Sequence, residues 1–165
     1  MKRRQIIRGA GLGLAAATIA KPAIAQSMPE LKWRCTSSFP RSLDILYGTS
    51  EVFAKAVGEA SDNKFQIQVF APGEIVPALQ ALDAVSGATV EMCHTASYYH
   101  VAKDPTFAFG TAVPFGLNAR MQNAWSLVGG GMQLLNEFFR KYNVFAIPCG
   151  KPRVGDAIDY GCDVR

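Results

Sequence analysis

The segment Phe65-Gln66-Ile67-Gln68-Val69 alternates apolar and polar side chains at every position. Successive side chains of a β-strand point to opposite faces, so this pattern predicts a strand with one buried face. A similar alternation runs from Leu31 to Cys35. Short apolar segments from Thr89 to His94 and from Val144 to Ile147 predict two further strands.

Apolar residues at helical spacing predict helices between these strands, over residues 42–60, 77–86, 119–127 and 132–142. Ser42 and Asn118 are residue types that cap helices, and Pro77 suits a first helical turn. Gly129-Gly130-Gly131 predicts a turn between the last two helices, and Asn143 is a plausible C-terminal cap for the last one. The alternation of strands and helices predicts an α/β fold with parallel strand pairing.

The positive net charge of the chain comes from its first 25 residues. They contain five basic and no acidic side chains, whereas residues 26–165 contain 12 basic and 13 acidic ones, a net charge of −1. A nucleic-acid-binding surface, which needs a basic face, is therefore not predicted. With 49% hydrophobic and 18% charged residues, the composition is that of a folded globular protein rather than a disordered one.

Residues 1–25 have the features of an export signal. Lys2-Arg3-Arg4 precedes a weakly apolar stretch from Gly9 to Ala20, and Ala23 and Ala25 fit a signal-peptidase site that cleaves after Ala25. The paired arginines and the low hydrophobicity favour the twin-arginine route. We therefore expect a periplasmic protein of a Gram-negative bacterium.

The four cysteines, Cys35, Cys93, Cys149 and Cys162, would enter an oxidising compartment. Four cysteines allow three disulfide pairings, and the spacing does not choose among them. Cys93 and His94 could also form a catalytic pair, although adjacent residues of a strand point to opposite faces. The spacing of Cys93, His94 and His100 matches no recognised zinc site.

Several segments together resemble the solute-binding proteins of tripartite ATP-independent periplasmic (TRAP) transporters, of the DctP type, and their 2-oxo acid-binding branch in particular. The resemblance extends from about residue 31 to 150. The matching segments are Trp33-Arg34, Ser37-Ser38-Phe39-Pro40, residues 65–70, Glu91-Met92-Cys93-His94-Thr95, Tyr98-Tyr99, residues 103–108, residues 112–115 and Gly129-Gly130-Gly131.

This resemblance implies a periplasmic-binding-protein-like (type II) fold, in which two α/β lobes close on a carboxylate. Residues 26–150 correspond to the N-terminal part of the first lobe, so we expect a truncated first lobe and impaired binding. Residues 151–165 diverge from the family, as expected of an altered reading frame, and neither Arg153 nor Arg165 lies in the context of the family's carboxylate-binding arginine. The polar tail is expected to leave the apolar helix residues uncovered, namely Leu134, Leu135, Phe138 and Phe139.

The resemblance places one wall of the ligand pocket in this chain. Ser and Tyr hydroxyls can orient an oxo acid, while aromatic rings cover its apolar end. The predicted wall residues are Ser37, Ser38, Phe39, Tyr98, Tyr99 and Phe115. We expect one of the two tyrosines to point away from the cleft and His100 to lie at the surface, and we predict no cofactor or metal ligand in this chain.

The function predicted from the resemblance is capture of a small 2-oxo or 2-hydroxy monocarboxylic acid for uptake. The expected partners are the carboxylate and the TRAP membrane permease subunits, with no nucleic acid, and the full-length form could be a homodimer. Two alternatives stay open at this point. One is an exported α/β enzyme that uses Cys93 and His94, and the other is a non-functional product of a disrupted gene.

Overall fold

A computed structural model describes residues 29–111, 113–149 and 159–163. The predicted export signal and most of the predicted tail lie outside these residues. Five strands form one sheet in the order β2-β1-β3-β5-β4. Their bounds are Leu31–Ser37 (β1), Phe65–Phe70 (β2), Met92–Ala96 (β3), Phe145–Cys149 (β4) and Asp159–Asp163 (β5).

The first three strands are parallel, as predicted. Leu31 of β1 pairs with Phe65 of β2, and Cys35 of β1 pairs with Met92 of β3. The sequence predicts that β3 begins at Thr89, but the strand begins at Met92. The backbone N–H of Thr89 instead donates to the carbonyl of Ala84, 2.7 Å away, which holds residues 87–90 in a turn.

Strand β5 lies in the tail at residues 151–165, whose polar composition does not predict a strand. It lies between β3 and β4 and is antiparallel to both, with Asp163 opposite Met92 and opposite Phe145. A polar segment can occupy this place because the ladder is made by backbone N–H and C=O groups, which do not depend on side-chain polarity. The sheet is therefore mixed rather than fully parallel.

Two of the four predicted helices begin differently from the prediction. Helix α1 spans Asp44–Ala60, and no side chain caps its first turn, so Ser42 does not have the predicted role. Pro77 has an extended backbone (φ −59°, ψ 153°) and precedes a short 3₁₀ segment, Ala78–Gln80. Helix α2 follows over Ala81–Ser86.

The last two helices confirm the predicted helix pair and its glycine turn. Helix α3 spans Ala119–Leu127, and the side chain of Asn118 accepts a 3.0 Å hydrogen bond from the backbone N–H of Met121. Gly130 has φ +80°, a left-handed conformation suited to glycine. Helix α4 then spans Gly131–Phe139 and continues as a 3₁₀ turn, with Asn143 at φ +58° as its C-terminal cap.

The main core lies between one face of the sheet and helices α2 and α4. Phe107, from the 3₁₀ segment Pro105–Gly110, packs its ring 4.9 Å from that of Phe138 and 5.6 Å from that of Phe139. Leu135, Phe138 and Phe139 are buried, which corrects the expectation that the polar tail would leave them uncovered; Leu134 is 62% exposed, as expected. Within the described residues, no helix combines the length and apolarity needed to cross a bilayer.

Candidate ligand-binding site

Two segments rich in hydroxyl and aromatic side chains meet at the carboxyl edge of the parallel strands. One follows β1 and contains Ser38 and Phe39, and the other follows β3 over Ser97–His100. A 2.8 Å hydrogen bond from the backbone N–H of Ser38 to the carbonyl of His94 ties the first segment to β3. Open α/β sheets bind ligands at this edge, so the two segments form a candidate binding surface.

The two serines are buried and hydrogen-bonded within the protein. The Ser37 hydroxyl accepts from the backbone N–H of Phe39 at 3.1 Å. The Ser38 hydroxyl lies 2.7 Å from the carbonyl oxygen of Ala78 and 2.7 Å from the Thr95 hydroxyl. Since a carbonyl only accepts, Ser38 donates to Ala78 and accepts from Thr95. In this structure both serines fix the shape of the edge.

The tyrosines form the outer part of this edge. Tyr98 is 41% exposed and Tyr99 is partly buried. Their ring centroids are 4.7 Å apart in an edge-to-face arrangement, and the Tyr99 ring lies 6.1 Å from the buried ring of Phe39. We call Tyr98, Tyr99 and Phe39 the aromatic wall. It presents tyrosine surface outward and is supported from inside by phenylalanine.

Phe115 does not join this wall in the structure. It lies in the loop before α3, is fully exposed and has φ +61°. None of the described aromatic contacts connects its ring to the tyrosines. Four of the six predicted site residues therefore lie in the two edge segments and Ser37 is the last residue of β1, whereas Phe115 stands apart from them.

His94 lies directly behind the aromatic wall and is buried. Its ring packs edge-on against Phe39 with centroids 5.0 Å apart, and its Nδ1 atom is 2.6 Å from the hydroxyl of Ser50 on α1. Burial lowers the pKa of His94 to about 4, so the ring is neutral at physiological pH. Cys93 belongs to the core on the α2 and α4 face. The adjacent residues Cys93 and His94 therefore serve opposite faces, and the geometry does not favour a catalytic pair.

His100 is buried, contrary to the expectation of a surface position. It is 2% exposed, and its ring packs against Phe107 with centroids 5.7 Å apart. Burial lowers its pKa to about 4, with Asp83 opposing and Lys103 adding to the shift. No local sequence pattern predicts this burial, because the fold brings Phe107 and Asp83 to His100.

A basic side chain, Arg41, lies at the same edge. It is not among the residues predicted for the pocket. Arg41 follows β1 by four residues, and its Nη2 atom is 3.1 Å from Oε1 of Glu74, in the turn after β2. Its guanidinium carbon lies 5.2 Å from the centre of the Tyr47 ring. The backbone N–H of Ala71 and the Arg41 guanidinium both lower the pKa of Glu74. The position of Arg41 in the sequence, directly after Phe39-Pro40, could have indicated that it lies at this edge.

Two apolar cavities lie away from the aromatic wall. An open apolar groove of about 650 Å³ lies between α3, α4 and the loop before α3, and its lining includes Trp125, Leu134 and Phe138. A smaller apolar cavity of about 200 Å³ lies beside α1 and is lined by Phe53, Ser50 and His94 among others. Tyr98, Tyr99 and Phe39 are not among the residues that line these two cavities.

The described residues do not supply a metal site. Across residues 29–111, 113–149 and 159–163, no group of three His, Cys, Asp or Glu side chains is placed to hold a metal ion.

The described residues thus form an α/β sheet with an aromatic, hydroxyl-rich carboxyl edge. Residues 36–150 match the family described as bacterial extracellular solute-binding protein, family 7 (DctP), and the chain belongs to that family.

Named relatives agree with this assignment. The chain is 41% identical over 156 residues to a monocarboxylate 2-oxoacid-binding periplasmic protein of Nostoc sp. PCC 7120, covering 91% of this chain and 43% of the relative. A TRAP transporter solute-binding protein of Bordetella bronchiseptica, with calcium and picolinate in its active site, is 45% identical with a TM-score of 0.72, covering 74% of this chain and 36% of that one. Another TRAP solute-binding protein, from Pseudoalteromonas atlantica with bound sodium and pyruvate, is 34% identical with a TM-score of 0.70. This match covers 72% of this chain and 36% of that one. The chain thus spans about two fifths of their length or less.

Proposed function

We propose that this chain is part of the periplasmic solute-binding component of a TRAP-type secondary transporter and contributes to the capture of a small 2-oxo or 2-hydroxy monocarboxylic acid. The aromatic wall at the carboxyl edge is the observation that carries this proposal. Further support comes from the 2-oxoacid-binding relative, with 41% identity, and from the pyruvate-bound structure, with 34% identity.

The chemistry of the wall suits such a ligand. Tyrosine hydroxyls can donate hydrogen bonds to carboxylate or keto oxygens, and the ring faces can cover a short alkyl group. Ser37 and Ser38 act indirectly, since their hydroxyls hold the backbone from which the wall projects. Phe115 is proposed as a further contact, made from the exposed loop before α3. Binding in this proposal is reversible and involves no covalent step.

The proposed partners follow from this role. The loaded protein would deliver its carboxylate to the membrane permease subunits of the transporter, and the full-length form would be a homodimer. Export through the signal at residues 1–25 would place the mature protein, beginning at Gln26, in the periplasm. Mass spectrometry of a periplasmic fraction tests this placement, since a retained Met1 would contradict it.

Calorimetry tests the ligand assignment. The 165-residue chain, and a chimera in which residues 26–149 replace the matching part of the Nostoc relative, are titrated with pyruvate, lactate, glucose and alanine. We expect the chimera to bind the oxo or hydroxy acid, and Tyr99→Phe to weaken that binding by roughly two- to tenfold, the value of one hydrogen bond. Leu79→Ala, at an exposed position outside the wall, is the control and should bind normally. Binding of glucose or alanine with no response to either acid would refute the assignment.

A further inference from the structure

Five side chains form a continuous line of contacts from the outer edge of the site into helix α1. Tyr98 contacts Tyr99, and Tyr99 lies against Phe39. Phe39 lies against His94, and His94 is hydrogen-bonded to Ser50. Exposure falls along this line, from 41% at Tyr98 to 3% at Phe39 and 2% at His94. The outer tyrosines therefore rest on a buried support that ends in a hydrogen bond.

The surroundings of His94 make that hydrogen bond important for the orientation of its ring. One side of the ring meets Phe39, and His94 also borders the 200 Å³ cavity beside α1. Packing holds a side chain less firmly where it borders empty space. Among the described residues, Nε2 of His94 has no hydrogen-bond partner. The 2.6 Å contact between Nδ1 and the Ser50 hydroxyl is therefore the directional interaction that fixes the ring.

We infer that Ser50 and His94 are positioning residues for the ligand wall. Their hydrogen bond orients the imidazole against which Phe39 packs, and Phe39 in turn sets the tilt of the Tyr99 ring. The inference rests on the proposed function, because it takes the aromatic wall as the ligand surface. A small tilt of a tyrosine ring moves its hydroxyl away from hydrogen-bonding position, and binding sites depend on such supporting contacts.

The chain offers a matched pair of variants that isolates this hydrogen bond. Ser50→Ala removes the hydroxyl that contacts His94. Thr49→Val removes the neighbouring hydroxyl, which lines the same cavity but donates to the carbonyl of Ile45 at 2.7 Å. Both lose one hydroxyl from α1 beside one cavity, and only the first loses a contact to His94. Ser50→Thr keeps a hydroxyl and serves as the rescue variant.

The main measurement is the NMR spectrum of the ring protons of Tyr99, on the 165-residue protein with labelled tyrosine, assigned with Tyr99→Phe. We expect Ser50→Ala to shift these resonances, Thr49→Val to leave them in place and Ser50→Thr to return them toward their original positions. In the pyruvate-binding chimera, Ser50→Ala should raise the Kd by roughly three- to tenfold, the value of one hydrogen bond, and Thr49→Val should not.

Unchanged Tyr99 resonances in a folded Ser50→Ala protein would overturn the inference, as would equal shifts in Thr49→Val. If Ser50→Ala does not fold, Ser50→Cys replaces the hydroxyl by a thiol, a much weaker hydrogen-bonding group, and leaves the His94 ring in place against Phe39. Shifted Tyr99 resonances in that variant would support the inference, and unshifted ones would overturn it. If the unsubstituted chimera binds neither pyruvate nor lactate, the proposed function fails, while the Tyr99 resonances still decide the positioning role.

Discussion

The carboxylate of Glu91 takes the place of a backbone partner for Arg34. The backbone N–H of Arg34 donates to Oε2 of Glu91 at 2.8 Å, while its guanidinium donates to both carboxylate oxygens, at 3.1 and 2.7 Å. The pairing of β1 with β3 runs from Cys35 and Met92 to Ser37 and His94. Glu91 therefore extends this ladder by one residue with its side chain.

Loss of the Glu91 carboxylate is expected to destabilise the fold at neutral pH. Glu91→Gln keeps the shape but weakens the charge-assisted hydrogen bonds, at a cost of about 1 kcal/mol, because the pair is partly exposed to solvent. Urea unfolding at pH 7 measures the difference. Glu51→Gln, at an exposed position of α1, is the control, and an equal loss in both variants would contradict the special role of Glu91.

The same pair predicts acid sensitivity. The hydrogen bonds from Arg34 lower the pKa of Glu91 from 4.5 to about 2. A carboxyl group whose pKa is lower in the folded state contributes stability above its unfolded pKa and loses it as pH falls toward the folded value. The difference in unfolding free energy between the unsubstituted protein and Glu91→Gln should therefore shrink between about pH 4.5 and pH 2. A constant difference across that interval would show that Glu91 does not titrate in this way.

Gly131 is expected to tolerate no side chain. A β-carbon at this position would lie 2.5 Å from Cδ2 and 2.6 Å from Cε2 of the Trp125 indole. Helix propensity favours alanine over glycine by about 1 kcal/mol at a helix interior and by less at the first residue of a helix, where Gly131 lies, so a loss of stability would point to the clash with Trp125. We expect Gly131→Ala to destabilise by about 2 kcal/mol, measured as a drop in melting temperature. The control is Gln133→Ala, at an exposed position of α4, and a stabilised Gly131→Ala protein would contradict the prediction.

Asn136 links helix α4 to strand β4 through both atoms of its amide. Its Nδ2 donates to the carbonyl of Ala146 at 2.9 Å, and its Oδ1 accepts from the backbone N–H of Ala146 at 2.7 Å. Because the site is buried, Asn136→Ala should leave two backbone groups without partners and cost about 2–4 kcal/mol. Asn136→Asp keeps the acceptor but replaces the donor by a charge, and should be at least as damaging. Chemical denaturation of both variants measures this, and a near-neutral Asn136→Asp would contradict it.

Local patterns were sufficient for much of the fold. Strict alternation located the strand at residues 65–69, and Asn118 caps α3 as its residue type suggested. Ser42 did not cap α1, since several residues of one loop could take that position and the backbone geometry decides among them. Strand β5 could not be predicted from composition, because its pairing depends on backbone groups and on the gap between β3 and β4.

The candidate site could be located from the sequence, but its internal arrangement could not. The resemblance identified Ser38, Phe39 and Tyr99, and the structure brings them to one edge. That the Ser38 hydroxyl is bonded to Ala78 and Thr95 follows from contacts 40 and 57 residues away in sequence. The burial of His94 and its bond to Ser50, 44 residues away, are likewise products of the fold.

The two buried histidines predict a second pH dependence, at higher pH than that of Glu91. Burial lowers the pKa of His94 and of His100 from 6.5 to about 4. In the unfolded chain these rings bind a proton near pH 6.5, whereas in the folded protein they do so only near pH 4. The unfolded state therefore binds more protons between these values. The free energy of unfolding should be constant above about pH 6.5, fall as pH decreases to about 4 and then level off with respect to these groups.

Protonation of each histidine should lower the free energy of unfolding by on the order of 2–3 kcal/mol between about pH 6.5 and pH 4. Urea titrations at constant ionic strength from pH 7.5 to 4.5 measure most of this loss, and Glu91 begins to titrate in the unfolded state only at the lower end of that range. His100→Gln and His94→Gln should each flatten the dependence, and the double variant should remove most of it. A double variant that loses stability with acid as steeply as the unsubstituted protein would show that other groups are responsible.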